Sequence, residues 1–251
     1  MKNSDPLRQQ VEAAVRQALA KMAETDANSA KSVLVILDAG AVSLDVCLAQ
    51  LAECRQNGHS LTALISSLAS QVYNLDIVRS AIPDLMVETT DLPLGKLVSD
   101  FSLLVIPVLT INIMAKLSLG VSDTPTSYLL VQALQQGKTI IAIDQQHSTE
   151  TTGYADHLRQ QVLQYQQRLQ SFGLRFVPVN RLAESIVKSS KQIHFCPATD
   201  QRSKLLGRDW IDQLPLSIEE IICPASTVIT PLAFEEAKKR GVMISLMEAK
   251  P

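Results

Sequence analysis

The chain has few cysteines and no long hydrophobic run, and each shortage excludes a class of protein. Its four cysteines form no Cys-x-x-Cys pair, which argues against zinc, iron–sulfur and thioredoxin-like redox sites. We therefore predict no metal site, and we interpret the thiols as buried packing groups; they are Cys47, Cys54, Cys196 and Cys223. No apolar stretch approaches the roughly 20 residues that span a bilayer. Because residues 1–10 lack the apolar core of a signal peptide, the sequence predicts a cytoplasmic location.

An excess of charge of one sign is also missing. The formal net charge is −2, and acidic and basic residues are scattered along the chain, so no basic stripe is present that could neutralise nucleic-acid phosphates. The Gly-x-Ser-x-Gly elbow and the Ser-His-Asp order of hydrolases are absent as well. A hydrophobic content of 46% still supports a substantial core. We therefore expect a globular protein that binds neither nucleic acid nor a membrane.

Short apolar runs alternate with helical patterns, which predicts an α/β protein with a doubly wound parallel sheet. In residues 103–144, an apolar strand at 103–106 is bounded by Pro107, a first helix ends at Gly120, a second helix ends at Gly137, and another strand follows. The predicted strands of this kind are Ser32–Leu37, Ser60–Ile65, residues 103–106 and Thr139–Ile143.

Polar and small residues follow several of these strands. They are Gly40, Ser66, Ser67, Thr110, Asn112 and His147. The carboxyl ends of parallel strands share one edge of a sheet, where open α/β sheets bind ligands, and small hydroxyl groups there suit a phosphate. Two alternatives stay open: Gly40 serves a tight turn or a ligand, and His147 is a solvated loop residue or a ligand-orienting group.

The sequence divides into three parts. Residues 1–30 hold an amphipathic helix at 5–24 and a small-residue linker, and this helix packs either on its own subunit or oligomer or on a partner. Residues 31–150 contain the sheet described above. Residues 151–251 form a smaller C-terminal α/β extension, with a helix at 155–171, a strand at 174–177 and a final strand-helix-strand unit from residue 221.

The order of residues after strand 103–106 resembles a flavoprotein family, that of phosphopantothenoylcysteine decarboxylases, flavin prenyltransferases and the flavoprotein-like component of dipicolinate synthase. This resemblance implies a Rossmann-like domain that binds flavin mononucleotide (FMN) at subunit contacts, and a homo-oligomer that is a trimer or larger. The residues that carry it are Pro107, Thr110, Asn112, Ala115, Lys116, Gly120 and Asp123.

The resemblance also implies roles for site residues. Gly40 with Ser66 or Ser67 lies at the flavin phosphate, Thr110 and Asn112 at the isoalloxazine and ribityl region, and Ser122 and Asp123 fix the turn around it. Relatives have Thr-Gly-Ser after the first strand, whereas this chain has Ala39-Gly40-Ala41, so two phosphate-binding hydroxyl groups are missing. Ser43 or Ser66 is the expected substitute.

The Asp123-Thr124-Pro125 turn and the detached helix at 5–24 are similar to those of flavoproteins associated with bacterial microcompartments. That similarity implies a location inside a microcompartment and a shell or cargo partner for residues 5–24. Decarboxylating relatives place a histidine shortly before the strand that leads into the Thr/Asn motif, and residues 88–101 contain none. Histidine-dependent decarboxylation is therefore disfavoured.

We expect an FMN-binding flavoprotein with a redox or electron-transfer role, and an FMN-dependent oxidoreductase is the enzyme class that this role implies. One alternative is a component of a dipicolinate-synthase-like or decarboxylase-type enzyme that acts on a small carboxylated metabolite. Another alternative is a non-catalytic adaptor that has lost its cofactor, which the Ala39-Gly40-Ala41 loop favours. The sequence identifies no catalytic residue.

Overall fold

The computed structural model describes residues 32–40, 44–89, 91–144, 154–195, 205–214 and 218–246. Four of the sequence-based predictions fall outside these ranges: the helix at 5–24 with its linker, Ser43, His147 and Cys196.

Six parallel strands form the central sheet, in the order β3-β2-β1-β4-β5-β6. This is the strand order of a doubly wound Rossmann-like sheet, and it confirms the predicted fold class. The strands are β1 (Ser32–Leu37), β2 (Ser60–Ile65), β3 (Asp84–Val87), β4 (Leu103–Val108), β5 (Thr139–Ile143) and β6 (Arg175–Val177).

Strand β4 continues past Pro107, where the sequence predicted its end, and reaches Val108. The pairing with β1 shifts between Val35 and Leu37, so that Leu37 lies opposite Val108. Because proline has no backbone N–H group to donate, a break in register beside Pro107 lets the strand continue without that hydrogen bond. The extension matters for the site because it brings Val108 next to the loop that follows β1.

Helices cover both faces of the central sheet, which explains why its inner strands are largely apolar. Helices α1, α2, α3 and α8 pack on one face, and α4, α5, α6 and α7 pack on the other. Their bounds are α1 (Asp45–Gln56), α2 (Ala69–Val72), α3 (Leu75–Ala81), α4 (Leu94–Asp100), α5 (Ile111–Leu119), α6 (Pro125–Gln135), α7 (Tyr154–Ser171) and α8 (Leu182–Ser190).

The C-terminal part forms a second, smaller core. Strands β7 (Gln192–His194), β9 (Glu220–Cys223) and β11 (Met243–Leu246) make a parallel sheet in the order β11-β9-β7. The short strands β8 (Leu205–Leu206) and β10 (Val228–Ile229) pair with each other, and α9 (Arg208–Asp212) and α10 (Pro231–Lys239) supply the helices. The predicted strand-helix-strand unit therefore corresponds to β9, α10 and β11.

The central sheet extends beyond the boundary that the sequence placed at residue 150. Strand β6 pairs with β5, with Ile141 opposite Arg175 and Ile143 opposite Val177. Helix α7 lies between β5 and β6 in the chain and so connects them. Its residues Val162 and Leu169 are buried in the core on one face of the sheet. The Rossmann-like unit thus includes α7, β6 and α8, and the smaller sheet begins at Gln192.

Three of the four cysteines lie in the described residues, and all three are buried: Cys47, Cys54 and Cys223. Burial raises the pKa of the Cys54 thiol to about 12, with a smaller contribution from the neighbouring charge of Glu53. These thiols are packing groups, as predicted. Within the described ranges, no helix has both the length and the apolar character needed to cross a membrane.

We predict that Leu104→Ala lowers the free energy of unfolding by about 2–5 kcal/mol, because truncation of a core side chain leaves a cavity. Leu104 is the second residue of β4 and is 0% exposed. Urea unfolding followed by circular dichroism measures this change. The control is Leu158→Ala in α7, where the side chain is 55% exposed and the expected change is within about 0.5 kcal/mol. Equal losses in the two variants would contradict the assigned core.

Candidate functional site

The strand order reverses between β1 and β4, and this reversal creates a crevice at the carboxyl edge of the sheet. After β1 the chain enters α1 on one face, and after β4 it enters α5 on the opposite face. Chains that leave adjacent strands in opposite directions open a crevice between them, which is where doubly wound sheets bind ligands. Asp38 follows β1 and Thr110 follows β4, so both lie at this crevice.

The carboxylate of Asp38 is the centre of the polar groups at this edge. Its Oδ1 atom accepts hydrogen bonds from Ser66 Oγ and from the Ala39 N–H group, both at 2.9 Å. Its Oδ2 atom accepts one from Thr110 Oγ1, also at 2.9 Å. Since Ser66 follows β2 and Thr110 follows β4, Asp38 connects the ends of three adjacent strands.

Tyr73, which follows α2, holds the loop after β1 through its hydroxyl group. The oxygen accepts a hydrogen bond from the Gly40 N–H group at 3.1 Å. The hydroxyl proton points toward the carbonyl oxygens of Asp38, at 3.2 Å, and Gly40, at 3.3 Å. The backbone on both sides of Ala39 is therefore fixed by one side chain from a distant part of the chain.

Gly40 is required at its position by packing. A Cβ atom built on Gly40 would lie 2.5 Å from Val108 Cγ1 and 3.5 Å from Thr110 Cγ2, and the first distance is too short for any real contact. The φ angle of Gly40 is not among the positive values found in this chain, so a left-handed turn is not the reason for the glycine. The close approach of the β1 loop to β4 explains it instead.

Thr110 has two roles at the start of α5. Its Oγ1 atom accepts a hydrogen bond from the Ile113 N–H group at 3.3 Å, which caps the helix, while its hydroxyl proton goes to Asp38. Asn112 lies two residues later, in the first turn of α5, and its side chain is exposed. Gly120 ends the helix in the left-handed conformation at φ 71°, which agrees with the predicted end.

Ser67 belongs to a neighbouring group at the end of β3 and does not bond to Asp38. Its Oγ atom donates to the backbone carbonyl of Glu88 at 3.2 Å. The Glu88 carboxylate accepts hydrogen bonds from Thr126 N–H at 2.9 Å and Thr126 Oγ1 at 3.2 Å, in the first turn of α6. The Glu88 carboxylate therefore lies at the N-terminal end of α6, and it is the second carboxylate, after Asp38, that accepts hydrogen bonds at this edge.

Ser122 and Asp123 lie in the turn between α5 and α6. Asp123 Oδ1 is 2.9 Å from Lys116 Nζ, and Ser127 Oγ donates to the same carboxylate at 3.4 Å. The hydrogen bond from Lys116 lowers the pKa of the Asp123 carboxyl group below its usual range. Asp123 thus connects the end of α5 to the start of α6, while Ser122 is exposed.

Of the predicted site residues, the structure brings Gly40, Ser66 and Thr110 together around Asp38. The remaining described ones, Ser67, Asn112, Ser122 and Asp123, lie at neighbouring positions. Sequence reasoning missed three residues of this edge: Asp38, Tyr73 and Glu88. Among the described residues, no group of histidine, cysteine, aspartate and glutamate side chains is arranged to hold a metal ion.

No protein-family model and no curated protein matches the chain. Solved structures do match. The FMN-dependent cysteine decarboxylase TvaF from thioviridamide biosynthesis is 16% identical, with a TM-score of 0.50, over 63% of this chain and 97% of that one. DmrB from Burkholderia xenovorans, described as a cubic protein cage for redox transfer, is 20% identical in its apo form, with a TM-score of 0.51, over 62% of this chain and 93% of that one. DmrB has also been solved with FMN, at a TM-score of 0.50. At these identities the likeness establishes a shared Rossmann-like fold.

The phosphate group of FMN does not fit the described strand ends as they stand. A phosphate needs N–H, O–H or cationic donors. Here the Ala39 N–H group and the hydroxyl groups of Ser66 and Thr110 donate to Asp38, and the Gly40 N–H group donates to Tyr73. The ring and ribityl chain of a flavin are uncharged, so they are not repelled by Asp38, and the exposed amide of Asn112 can donate to or accept from their polar groups.

We predict that Gly40→Ala lowers the free energy of unfolding by about 1–3 kcal/mol, because the new methyl group overlaps Val108 Cγ1. Adding Val108→Ala should restore part of the loss by removing that atom. Thermal and urea unfolding measure both changes. The control is Gly95→Ala in α4, where nothing lies within 4 Å of the added Cβ atom. If Gly40→Ala were as well tolerated as this control, the close approach would be refuted.

Proposed function

We propose that the protein is a flavoprotein that holds FMN in the carboxyl-edge crevice and serves redox or electron transfer. The observation that carries this proposal is the convergence of Gly40, Ser66 and Thr110 at the reversal point of a 3-2-1-4-5-6 sheet. DmrB, which shares the fold, is described as a cage for redox transfer and has been solved with FMN. The bound flavin would supply the electron chemistry, while the protein positions it.

We assign the side of the crevice after β4 to the ring and ribityl chain. Thr110 is partly buried and Asn112 is exposed, so these neighbouring residues offer a hydroxyl oxygen and an amide along the first turn of α5. Gly40, Ser43, Ser66 and Ser67 remain the sequence-based candidates for the phosphate end, and of these the Gly40 N–H group and the Ser66 and Ser67 hydroxyl groups already donate within the protein. The ion pair between Lys116 and Asp123 would hold the turn beyond α5 in place.

A decarboxylase-type enzyme is the second candidate, because TvaF shares the fold to nearly the same degree as DmrB. A dipicolinate-synthase-like component that acts on a small carboxylated metabolite belongs to the same class. The family's histidine-dependent decarboxylation stays disfavoured because residues 88–101 contain no histidine. His59 lies just before β2, at the amino edge, where it is buried against the Cys54 carbonyl and Ser190 Oγ. An adaptor that has lost its cofactor is the third candidate, and the Asp38 carboxylate favours it.

We also propose a homo-oligomer of three or more copies. Large apolar side chains are exposed around the carboxyl edge, including Leu68 at 61%, Val72 at 58% and Ile111 at 40%. Exposed apolar groups that lie close together commonly pack against another chain. DmrB is described as a cubic cage, which shows that this fold can assemble in that protein. The cytoplasmic location stays a prediction from the sequence.

The flavin proposal predicts that the purified protein is yellow or takes up added FMN, and that reductant bleaches the flavin absorbance band reversibly. Asn112→Ala should weaken flavin binding about three- to tenfold, since one hydrogen bond is lost. The matched control is Asn57→Ala, which changes an exposed asparagine at the C-terminal end of α1. A colourless protein that binds neither FMN nor riboflavin would refute the proposal. Turnover of a carboxylated substrate without an electron donor would favour the enzyme candidate.

We propose further that residues 5–24 dock the protein on a microcompartment shell or cargo partner. The support is their single apolar stripe, followed by a small-residue linker. Deletion of residues 1–27 should leave the flavin content unchanged and abolish co-assembly with the partner, as measured by co-sedimentation. A variant with polar-face substitutions only should keep co-assembly. Loss of flavin or of folding in the deletion would show that the helix packs on its own subunit instead.

A further inference from the structure

We infer that Asp38 determines which form of flavin the crevice prefers. Its carboxylate uses the donors that the described ends of β1, β2 and β4 would offer a phosphate, so FMN gains no advantage there over riboflavin, which has the same ring and ribityl chain but no phosphate. This inference rests on the proposed flavin-binding function. It is drawn from the hydrogen bonds at the ends of β1, β2 and β4.

A carboxylate and a phosphate compete for the same kind of partner. Both present negatively charged oxygens that accept hydrogen bonds from O–H and N–H groups. Asp38 receives three such bonds, each at 2.9 Å, from Ser66, Thr110 and the Ala39 N–H group. An incoming phosphate would have to displace the carboxylate to reach these donors, and the carboxylate would then lose all three partners.

The neighbouring donors are also engaged within the protein. The Gly40 N–H group donates to the Tyr73 hydroxyl at 3.1 Å. At the start of α6, Thr126 donates through its N–H and hydroxyl groups to Glu88. Two places at the described carboxyl edge therefore have donors suited to an anion, and an internal carboxylate fills each.

Electrostatic repulsion acts in the same direction as this competition. Asp38 is partly buried, so its charge is screened less than a fully exposed one. A phosphate dianion beside it would meet a like charge, whereas the uncharged end of riboflavin would not. The structure thus assigns to one residue both the occupation of the donors and a repulsion, which together cancel the gain in affinity that a phosphate would otherwise bring.

The test compares the dissociation constants of FMN and riboflavin for the full chain by fluorescence titration. In the unaltered protein, the two constants should agree within about threefold. In Asp38→Asn, the preference for FMN should rise at least about tenfold, because a charge-assisted bond to phosphate replaces a repulsion. The ratio of the two constants is the measured quantity, because any loosening of the crevice on loss of the Asp38 contacts would weaken the binding of both flavins alike.

The matched control is Asp84→Asn. This carboxylate also accepts a hydrogen bond from a threonine, Thr62 Oγ1 at 2.6 Å, but at the amino end of β3. The substitution removes the same charge and the same type of contact without touching the carboxyl edge. The ratio of the two dissociation constants should therefore stay as in the unaltered protein.

A second measurement separates this inference from the flavin proposal. Inorganic phosphate should raise the melting temperature of Asp38→Asn, and should leave that of the unaltered protein and of Asp84→Asn unchanged. If no variant bound a flavin, the proposed function would fail, and the phosphate response alone would decide the role of Asp38. If Asp38→Asn failed to fold, the ratio in the unaltered protein would decide it. A tenfold preference of the unaltered protein for FMN would overturn the inference. So would a folded Asp38→Asn variant whose preference for FMN does not rise and whose melting temperature does not change with phosphate.

Discussion

The carboxylate of Asp38 accepts hydrogen bonds from Ser66 and Thr110, at the ends of the two strands that flank its own. A partly buried carboxylate is costly unless its oxygens are well bonded, so the ends of β2 and β4 must stay close to Asp38 once it is enclosed. Tyr73 adds a constraint from outside the sheet, because its hydroxyl group holds the backbone on either side of Ala39. The close packing of Gly40 on Val108 follows from the same arrangement. The shape of the crevice is therefore set by the protein's own polar contacts.

The C-terminal sheet is joined to the Rossmann-like unit at the amino edge, away from this crevice. Arg175, the first residue of β6, donates to Ser189 Oγ at 3.2 Å and to Gln192 Oε1 at 3.1 Å. The bond from Arg175 to Gln192 connects the two sheets through side chains, and Gln192 in turn donates to Glu220 at 2.6 Å within the smaller sheet. Burial lowers the pKa of the Arg175 guanidinium group, with a smaller opposing effect from the charge of Glu220. These described contacts lie at the amino edge and involve none of the polar groups around Asp38 at the carboxyl edge.

Patterns local in the sequence predicted most of the fold. Apolar runs gave β1, β2 and β5, and Gly120 ended α5 where expected, because these features depend on neighbouring residues alone. The contacts of the site depend on residues far apart in the chain. The hydroxyl of Tyr73 reaches Asp38 across 35 positions, and that of Thr110 reaches it across 72. No periodicity encodes such pairs. An acidic residue directly after a buried strand was the one available signal for Asp38.

The fold and the Asp38 carboxylate bear on function in different ways. The fold supplies a crevice at the reversal point, and that crevice exists whatever residues follow the strands. The ligand it accepts depends on the donors left available at those strand ends. Because Asp38 both closes the strand ends and uses their hydroxyl groups, the stability of the crevice and its selectivity are properties of one residue. A substitution that opened the site to phosphate would therefore also remove a contact that holds three strands together, so at this position the selectivity of the crevice changes only together with its stability.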